Sequence, residues 1–132
     1  LATVIDPFKA SSLQHGNRGL VLATRWTVFA DDADDAWQAL GTMRGLRAEG
    51  RLEAVDPMVL RQRADTMDRA EILGKYTIVT DVQGLVDAYK PLVEEIGADY
   101  VSIQVASTRP DRVLDIMRSE VLPELRKLPV PS

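Results

Sequence analysis

The chain has 132 residues, of which 45% are hydrophobic, and it carries a formal net charge of −4. This length suits one domain or part of a larger one, and it supplies enough apolar side chains for a buried core. The basic residues are scattered along an acidic chain, which argues against a nucleic-acid partner. No apolar run approaches the roughly 20 residues that a membrane helix needs, so we expect no membrane partner either.

The absence of cysteine excludes disulfide bonds and thiolate chemistry. A reducing compartment is compatible with this composition, and we predict a cytoplasmic protein. The sequence begins at Leu1 rather than at methionine, directly within a helical pattern. From this start we expect a fragment of a longer protein.

The first third of the chain predicts a helix, a strand and the start of a second helix. Residues 1–14 have the apolar spacing of a short helix, which Pro7 interrupts or opens. The run at 20–30 is rich in β-branched and aromatic residues and predicts a strand. Either Asp31 or Asp32 is expected to cap the helix that follows.

The middle segment, residues 41–79, predicts a helical insertion. Its first part, 44–56, is punctuated by glycine, carries three arginines and predicts an ordered loop. Asp56 followed by Pro57 is typical of a helix start, with the acid as N-cap and proline in the first turn. A second short helix is expected after Asp68.

The last third begins with a short extended piece at 76–79. Thr80 and Gln83 match a capping box, and the apolar face of the next helix ends at Gly97, where a C-terminal cap is expected. Residues 99–106 alternate with period two and predict a strand.

A final helix is expected from Thr108 to Leu128, with Pro123 bending or terminating it. Strands at 20–30 and 99–106, each followed by a helix, predict βα units on a parallel sheet. Two such strands cannot close a sheet, and a (β/α)₈ barrel needs about 250 residues. The pattern alone therefore leaves two architectures open: the C-terminal βα units of an incomplete α/β (TIM) barrel, and a small two-layer α/β domain.

Several polar residues have ordinary structural explanations. His15 lies in a Gly/Asn turn, Arg25 is expected at the exposed end of its strand, and Ser107 and Thr108 are expected to cap a helix. Four acids are expected to be helix caps and solvated helix charges: Asp31, Asp32, Asp34 and Asp35. They are not expected to bind calcium, since a calcium loop would need further ligands. No nucleophile–base pair or metal-ligand cluster is found, so the sequence predicts neither catalytic nor metal-binding residues.

Several of these segments, taken in order, resemble part of a known protein family. Residues 76–81, the helix up to Gly97, the strand at 99–106 and the ending at 120–126 form an ordered series. In order and spacing this series resembles the C-terminal portion of the luciferase-like flavin- and deazaflavin-dependent oxidoreductases. The most similar branch uses coenzyme F420 and is typified by F420-dependent glucose-6-phosphate dehydrogenase. Members of that branch also carry a basic loop and an Asp-Pro helix start, which residues 44–57 match.

This resemblance implies that residues 1–132 form the C-terminal part of a single luciferase-like barrel domain with an insertion. It also implies hydride transfer between an alcohol or sugar-phosphate type of substrate and the deazaflavin F420. The family's catalytic residues and nearly all of its cofactor contacts come from earlier strands, so none is assigned to this chain. An FMN-dependent luciferase-like monooxygenase is the alternative within the same class.

The resemblance assigns substrate binding to two positions. Arg51 and Lys75 match a lysine and an arginine that bind the substrate phosphate in the sugar-phosphate dehydrogenases, with the two residue types exchanged. The expected partner is therefore a small-molecule substrate, and a homodimer is compatible with the prediction. A competing hypothesis from another class is a small α/β binding or dimerisation module without chemistry.

Overall fold

The computed structural model describes residues 2–48 and 50–129, so that Leu1, Glu49 and residues 130–132 lie outside the described residues. Within this part of the chain, three strands form one sheet in the order β2-β1-β3. The strands are β1 (Leu22–Phe29), β2 (Thr77–Val79) and β3 (Tyr100–Ala106). The fold is therefore mixed α/β with a small parallel sheet, as expected, although a closed barrel is not formed by these residues.

The helices are α1 (Ala2–Gln14), α2 (Ala33–Leu40), α3 (Pro57–Thr66), α4 (Arg69–Gly74), α5 (Val82–Glu94), α6 (Pro110–Ile116) and α7 (Leu122–Leu125). A 3₁₀ helix (Gly41–Arg47) follows α2, and a π-helical segment (Met117–Val121) joins α6 to α7. In the described residues, no helix has the length and apolar character needed to cross a membrane.

The pairing of β1 with β3 begins at their amino-terminal ends. The carbonyl of Val21 accepts hydrogen bonds from the backbone N–H groups of Asp99 (2.9 Å) and Tyr100 (3.1 Å). The Asp99 carboxylate in turn accepts from the N–H of Val21 (2.9 Å) and from the guanidinium of Arg18 (2.7 Å), and these donors lower the pKa of Asp99. The two predicted strands are therefore adjacent and run in the same direction.

The prediction of only two strands is wrong. Residues 77–79 lie opposite residues 27–29 in a parallel register, and the N–H of Ala30 donates to the carbonyl of Val79 (3.1 Å). The extended piece at 76–79 is therefore a third strand of the sheet, and the helical insertion ends before it. A run of three residues is too short for a periodic pattern to identify as a strand.

By its contacts the chain divides into two compact units. The first comprises the residues up to 25, residues 82–104 and the residues from 115 onward. Its buried core is built on α5 and the last helical segments: Leu85, Tyr89, Leu92, Met117 and Val121. The Tyr89 hydroxyl lies 3.2 Å from the carbonyls of both Arg25 and Gln104, so it satisfies polar groups of two strands inside this core.

The Arg25 side chain does not mark an exposed strand end, contrary to expectation. It is half-buried, and its guanidinium donates to the carbonyl of Ala88 in α5. A guanidinium is tolerated inside a strand because this carbonyl partly compensates for the water that it loses.

The ends of α5 test the predicted caps. The helix begins at Val82, so its N-cap position is one residue after Thr80. The Gln83 side-chain amide donates to the Asp87 carboxylate (2.9 Å) and not to the backbone of an N-cap residue. The predicted capping box is therefore wrong. Gly97 has a φ of +61°, its N–H donates to Val93 and the next N–H donates to Leu92, so the predicted C-terminal cap is confirmed.

The last helix contains a π-helical segment just before Pro123. A proline has no N–H, and its ring crowds the carbonyl four residues earlier. The chain accommodates this with the π-helical segment, where the N–H of Leu122 donates to Met117, five residues back.

The second unit comprises residues 26–81 and 105–114. One buried cluster joins the end of β1 to α2 and α4: Val28, Ala30, Ala36, Leu40 and Leu73. A second cluster is formed by Ala48, Ala64 and Ile72. The rings of Trp37 and Tyr76 pack against both clusters, so they connect the sheet to the insertion.

The predicted loop at 44–56 begins as the 3₁₀ helix. Arg44 is only 9% exposed, because its guanidinium donates to Asp65 at 2.8 Å and stacks over the Trp37 ring at 4.6 Å. Glycine is favoured at position 45, because an added Cβ would lie 3.0 Å from the backbone of Leu60 and Arg61 and α3 would have to shift slightly. Sequence periodicity cannot detect such a close approach.

Gly41 and Gly74 provide a matched test of backbone conformation. Nothing lies within 4 Å of a Cβ added at either position, but only Gly41 has a positive φ, of +49°. We expect Gly41→Ala to lower the free energy of unfolding by about 1–2 kcal/mol, because L side chains avoid that conformation. Gly74→Ala should change stability by less than about 1 kcal/mol, in the stabilising direction. Equal losses in urea unfolding would contradict this explanation.

Candidate functional site

A cavity of about 430 Å³ in the second unit contains both residues that the resemblance assigned to substrate binding. Its walls include Arg47, Gly50, Arg51, Leu52, Glu53 and Lys75. Arg51 and Lys75 are 24 residues apart in the sequence. They line one cavity because Lys75 follows α4 directly and Arg51 lies in the loop after the 3₁₀ helix. That they bind a substrate stays a prediction.

Local contacts hold these two side chains at the cavity wall. The Arg51 guanidinium donates to the carbonyl of Leu46 (3.1 Å) and is otherwise exposed. Lys75 forms an ion pair with Glu71, one helical turn earlier, at 2.8 Å, and its Nζ lies 3.5 Å from the carbonyl of Arg47. Exposed pairs of this kind contribute little to stability, so Lys75 can exchange Glu71 for a ligand at small cost.

The wall of this cavity carries more positive than negative charge. Arg47, Arg51 and Lys75 supply three cations, and Glu53 supplies one carboxylate. Such an arrangement favours a small anion, because guanidinium and ammonium groups donate charge-assisted hydrogen bonds to it. Glu53 disfavours highly charged anions through like-charge repulsion.

Arg47 was not singled out from the sequence. It lies in the arginine-bearing stretch at 44–51, but the spacing alone does not separate Arg44, which turns inward, from Arg47, which lies over the Tyr76 ring at 5.4 Å. The 3₁₀ helix determines which arginine reaches the cavity.

A second cavity, of about 410 Å³, shares three wall residues with the first: Arg47, Arg51 and Leu52. Its remaining walls are apolar or aromatic: Trp26, Leu46, Leu60 and Tyr76. Trp26, in β1, is half-buried along this cavity. The Tyr76 hydroxyl donates to the carbonyl of Met43 (2.8 Å), and burial raises its pKa, so the phenol stays neutral at physiological pH.

The acids at the start of α2 are only partly what the sequence predicted. Asp32 is the N-cap and accepts from the N–H of Asp35 (2.8 Å). Asp31 and Asp35 are not merely solvated, because Arg109 pairs with them at 2.8 Å and 3.3 Å. Thr108 donates to Asp35 at 2.6 Å and so does more than cap a helix.

These contacts lower the pKa of Asp35. The hydrogen bond from the Thr108 hydroxyl has the largest effect, followed by the N–H of Asp31, and the charge of Arg109 adds to both. Within residues 2–48 and 50–129, no group of three or more potential ligand side chains is placed to hold a metal ion. The cluster therefore functions as an ion-paired connection between the loop after β1 and the loop after β3.

Two other predicted positions have local roles. Ser107 accepts a hydrogen bond from the N–H of Arg109 (3.1 Å), as expected of a residue before a helix. His15 is exposed, and its Nδ1 lies 2.8 Å from the carbonyl of Ser11 within the turn that ends α1. Neither residue lines the two cavities described above.

The two cavities do not fit the flat tricyclic ring of a flavin or deazaflavin. Such a ring needs apolar walls on both faces, whereas the first cavity is walled by charged side chains. The second has two aromatic wall residues, Trp26 and Tyr76, but its wall residues Leu46 and Leu52 are 46% and 92% exposed, so its wall is not closed. The two cavities therefore have room for a small ligand but lack the paired apolar walls that a cofactor ring needs.

The fold is that of an α/β unit with parallel strands and a helical insertion that carries a cationic cavity. No family model matches the chain, and no curated protein matches it significantly. A solved structure is similar: an F420-dependent secondary alcohol dehydrogenase in complex with an F420–acetone adduct, with a TM-score of 0.65 and 20% sequence identity. The similarity covers 93% of this chain and 38% of that enzyme, so the chain spans well under half of its length. At this identity the likeness establishes a shared fold.

The lowered pKa of Asp35 predicts a pH-dependent contribution to stability. A carboxylate whose pKa is depressed by folding stabilises the folded state above its ordinary value of 3.8, and this stabilisation is lost as the pH falls through the lower folded-state value. Asp35→Asn should therefore lower the Tm at pH 7, and its difference from wild type should narrow below pH 3.8.

The matched control is Asp34→Asn in the same helical turn. Asp34 is 80% exposed and pairs with Arg69 at 2.6 Å, and an exposed pair of this kind contributes little, so its substitution should change the Tm little. Thermal unfolding of both variants between pH 3 and 7 makes the comparison. A constant Tm difference for Asp35→Asn over this range would contradict the role given to its carboxylate.

Proposed function

We propose that this chain is the C-terminal part of an F420-dependent oxidoreductase, to which it contributes the last βα units and part of the substrate pocket. The likeness to an F420-dependent secondary alcohol dehydrogenase over 93% of the chain is the observation that carries this proposal. The resemblance of the sequence to the same class supports it independently. A cytoplasmic location and a homodimeric state remain predictions from the sequence.

We also place the three-stranded sheet within a (β/α)₈ barrel. Two features support this: β1 and β3 are parallel neighbours, and one side of β3 is left uncovered at Tyr100, which is 61% exposed, and at Gln104. In a barrel these alternate residues point into the interior, and the carboxyl ends of the strands border the active site. The walls of the first cavity follow β1 and precede β2 in the sequence.

In this proposal the chain binds and orients the substrate, while the rest of the protein holds the deazaflavin and the acid–base residues. Arg51 and Lys75 bind an anionic group of the substrate. Arg51 offers a planar pair of donors and Lys75 a compact charge, so together they approach a tetrahedral or carboxylate anion from two directions. Fixing one end of the substrate orients its reacting carbon.

Cofactor use is tested on the complete protein that contains this chain. Titration with F420, followed by deazaflavin fluorescence, should show saturable binding, and a panel of secondary alcohols should reduce the bound F420. Binding of FMN in place of F420 would favour the luciferase-like monooxygenase. Binding of neither would overturn the proposal and leave the non-catalytic module as the explanation.

The role of the two cations is tested by Arg51→Ala and Lys75→Ala in the complete protein. Each change should raise the KM for an anionic alcohol about 10- to 100-fold, the usual effect of losing one charged hydrogen bond. The kcat should change little, because the contact is made equally in the ground and transition states. Steady-state F420 reduction measures both constants.

The matched control is Lys90→Ala. Lys90 forms the same kind of one-turn ion pair, with Glu94 at 3.7 Å, and is 45% exposed compared with 37% for Lys75. It lies in the other unit, so the KM should stay at the wild-type value. Equal effects of Lys75→Ala and Lys90→Ala would show that Lys75 does not bind the substrate.

A further inference from the structure

We propose that the ligand of this site is an amphipathic anion, with its charged group in the first cavity and an apolar or aromatic body in the second. The inference rests on the proposed function, because it takes the ligand of this site to be the substrate of the oxidoreductase. It narrows the substrate class to hydrophobic alcohols that carry an acidic group. A sugar phosphate does not meet this description.

The two cavities are positioned for one ligand because they share a wall. Arg47, Arg51 and Leu52 border both. On one side of this wall Lys75 adds a further cation, and on the other side Trp26 and Leu60 add only apolar and aromatic surface apart from the Tyr76 hydroxyl. A molecule that extends across the wall therefore meets positive charge at one end and apolar groups at the other.

Apart from Arg47 and Arg51, which it shares with the first cavity, the second cavity offers few polar partners to a ligand. The Tyr76 hydroxyl is occupied by the carbonyl of Met43 at 2.8 Å, so the residue presents its ring. The hydroxyl groups of a sugar that lie against Trp26, Leu46 and Leu60 would lose water without gaining hydrogen bonds, which is unfavourable, and only hydroxyls that face the shared arginines would be compensated. An apolar body has no such cost.

Leu52 is the residue that most clearly indicates an apolar ligand. Its side chain is 92% exposed although it borders both cavities, and Leu46 beside it is 46% exposed. Exposed large apolar side chains that line a cavity gain free energy when a ligand covers them. Because Leu52 packs against so little in the folded chain, it can be replaced without disturbing the core.

Four probes separate the contributions of charge and apolar surface: phenyl phosphate, inorganic phosphate, phenol and glucose 6-phosphate. Their affinities for the complete protein are measured by isothermal titration calorimetry without turnover. Phenyl phosphate should bind at least about tenfold more tightly than inorganic phosphate or glucose 6-phosphate, because only its body is covered by apolar walls. Phenol, which lacks the anion, should bind more weakly than phenyl phosphate by a similar factor.

Substitutions test whether the charge contribution to binding comes from the first cavity and the apolar contribution from the second. Leu52→Ser should weaken the binding of phenyl phosphate severalfold and leave the affinity for inorganic phosphate unchanged. Arg51→Ala should weaken the binding of both probes. The matched control is Val55→Ser in the same loop, where the side chain is 99% exposed and lines neither cavity, and it should change no affinity.

The outcomes distinguish this inference from the proposed function. Equal affinities for phenyl phosphate and inorganic phosphate, tighter binding of glucose 6-phosphate, or no binding of any probe would overturn the inference, whatever the result with F420. Selective binding of phenyl phosphate that responds to Leu52→Ser would support it. If that selectivity were found in a protein that does not bind F420, the amphipathic site would stand and the oxidoreductase proposal would fail.

Discussion

The pairing of β2 with the carboxyl end of β1 is the interaction on which the site depends. Residues 77–79 add to the sheet opposite residues 27–29, and this contact attaches the two ends of the insertion to neighbouring parallel strands. Lys75 and Tyr76 immediately precede β2, so the same pairing brings them to the cavities that Trp26 also borders. Three ladder residues suffice because the Tyr76 ring packs against both buried clusters of this unit.

The larger elements could be predicted from the sequence because their patterns are local. The strands near 20–30 and 99–106, the helix that ends at Gly97 and the Asp56–Pro57 helix start all lie where expected, since apolar periodicity and caps specify them. β2 could not be recognised as a sheet strand, because its identity depends on β1 rather than on its own three residues.

The site could be predicted only in part, for a related reason. The positions of Arg51 and Lys75 in one cavity follow from a resemblance in order and spacing, not from any pattern in the residues themselves. Arg47 and Arg44 have the same chemistry and neighbouring positions, and only the 3₁₀ helix turns one to the cavity and the other to Asp65. Likewise the ion pairs of Arg109 join segments that are more than 70 residues apart, as the Asp35 contacts show.

A crystal structure of the complete protein soaked with tungstate, a phosphate-like anion located by its anomalous scattering, tests the central claim most directly. We predict a tungsten peak in the first cavity, within hydrogen-bond reach of the Arg51 guanidinium and of Lys75 Nζ, with Lys75 turned away from Glu71. A cavity without such a peak, with Lys75 still paired to Glu71 while tungstate occupies other basic sites, would contradict the assignment of this cavity to the anionic end of a substrate.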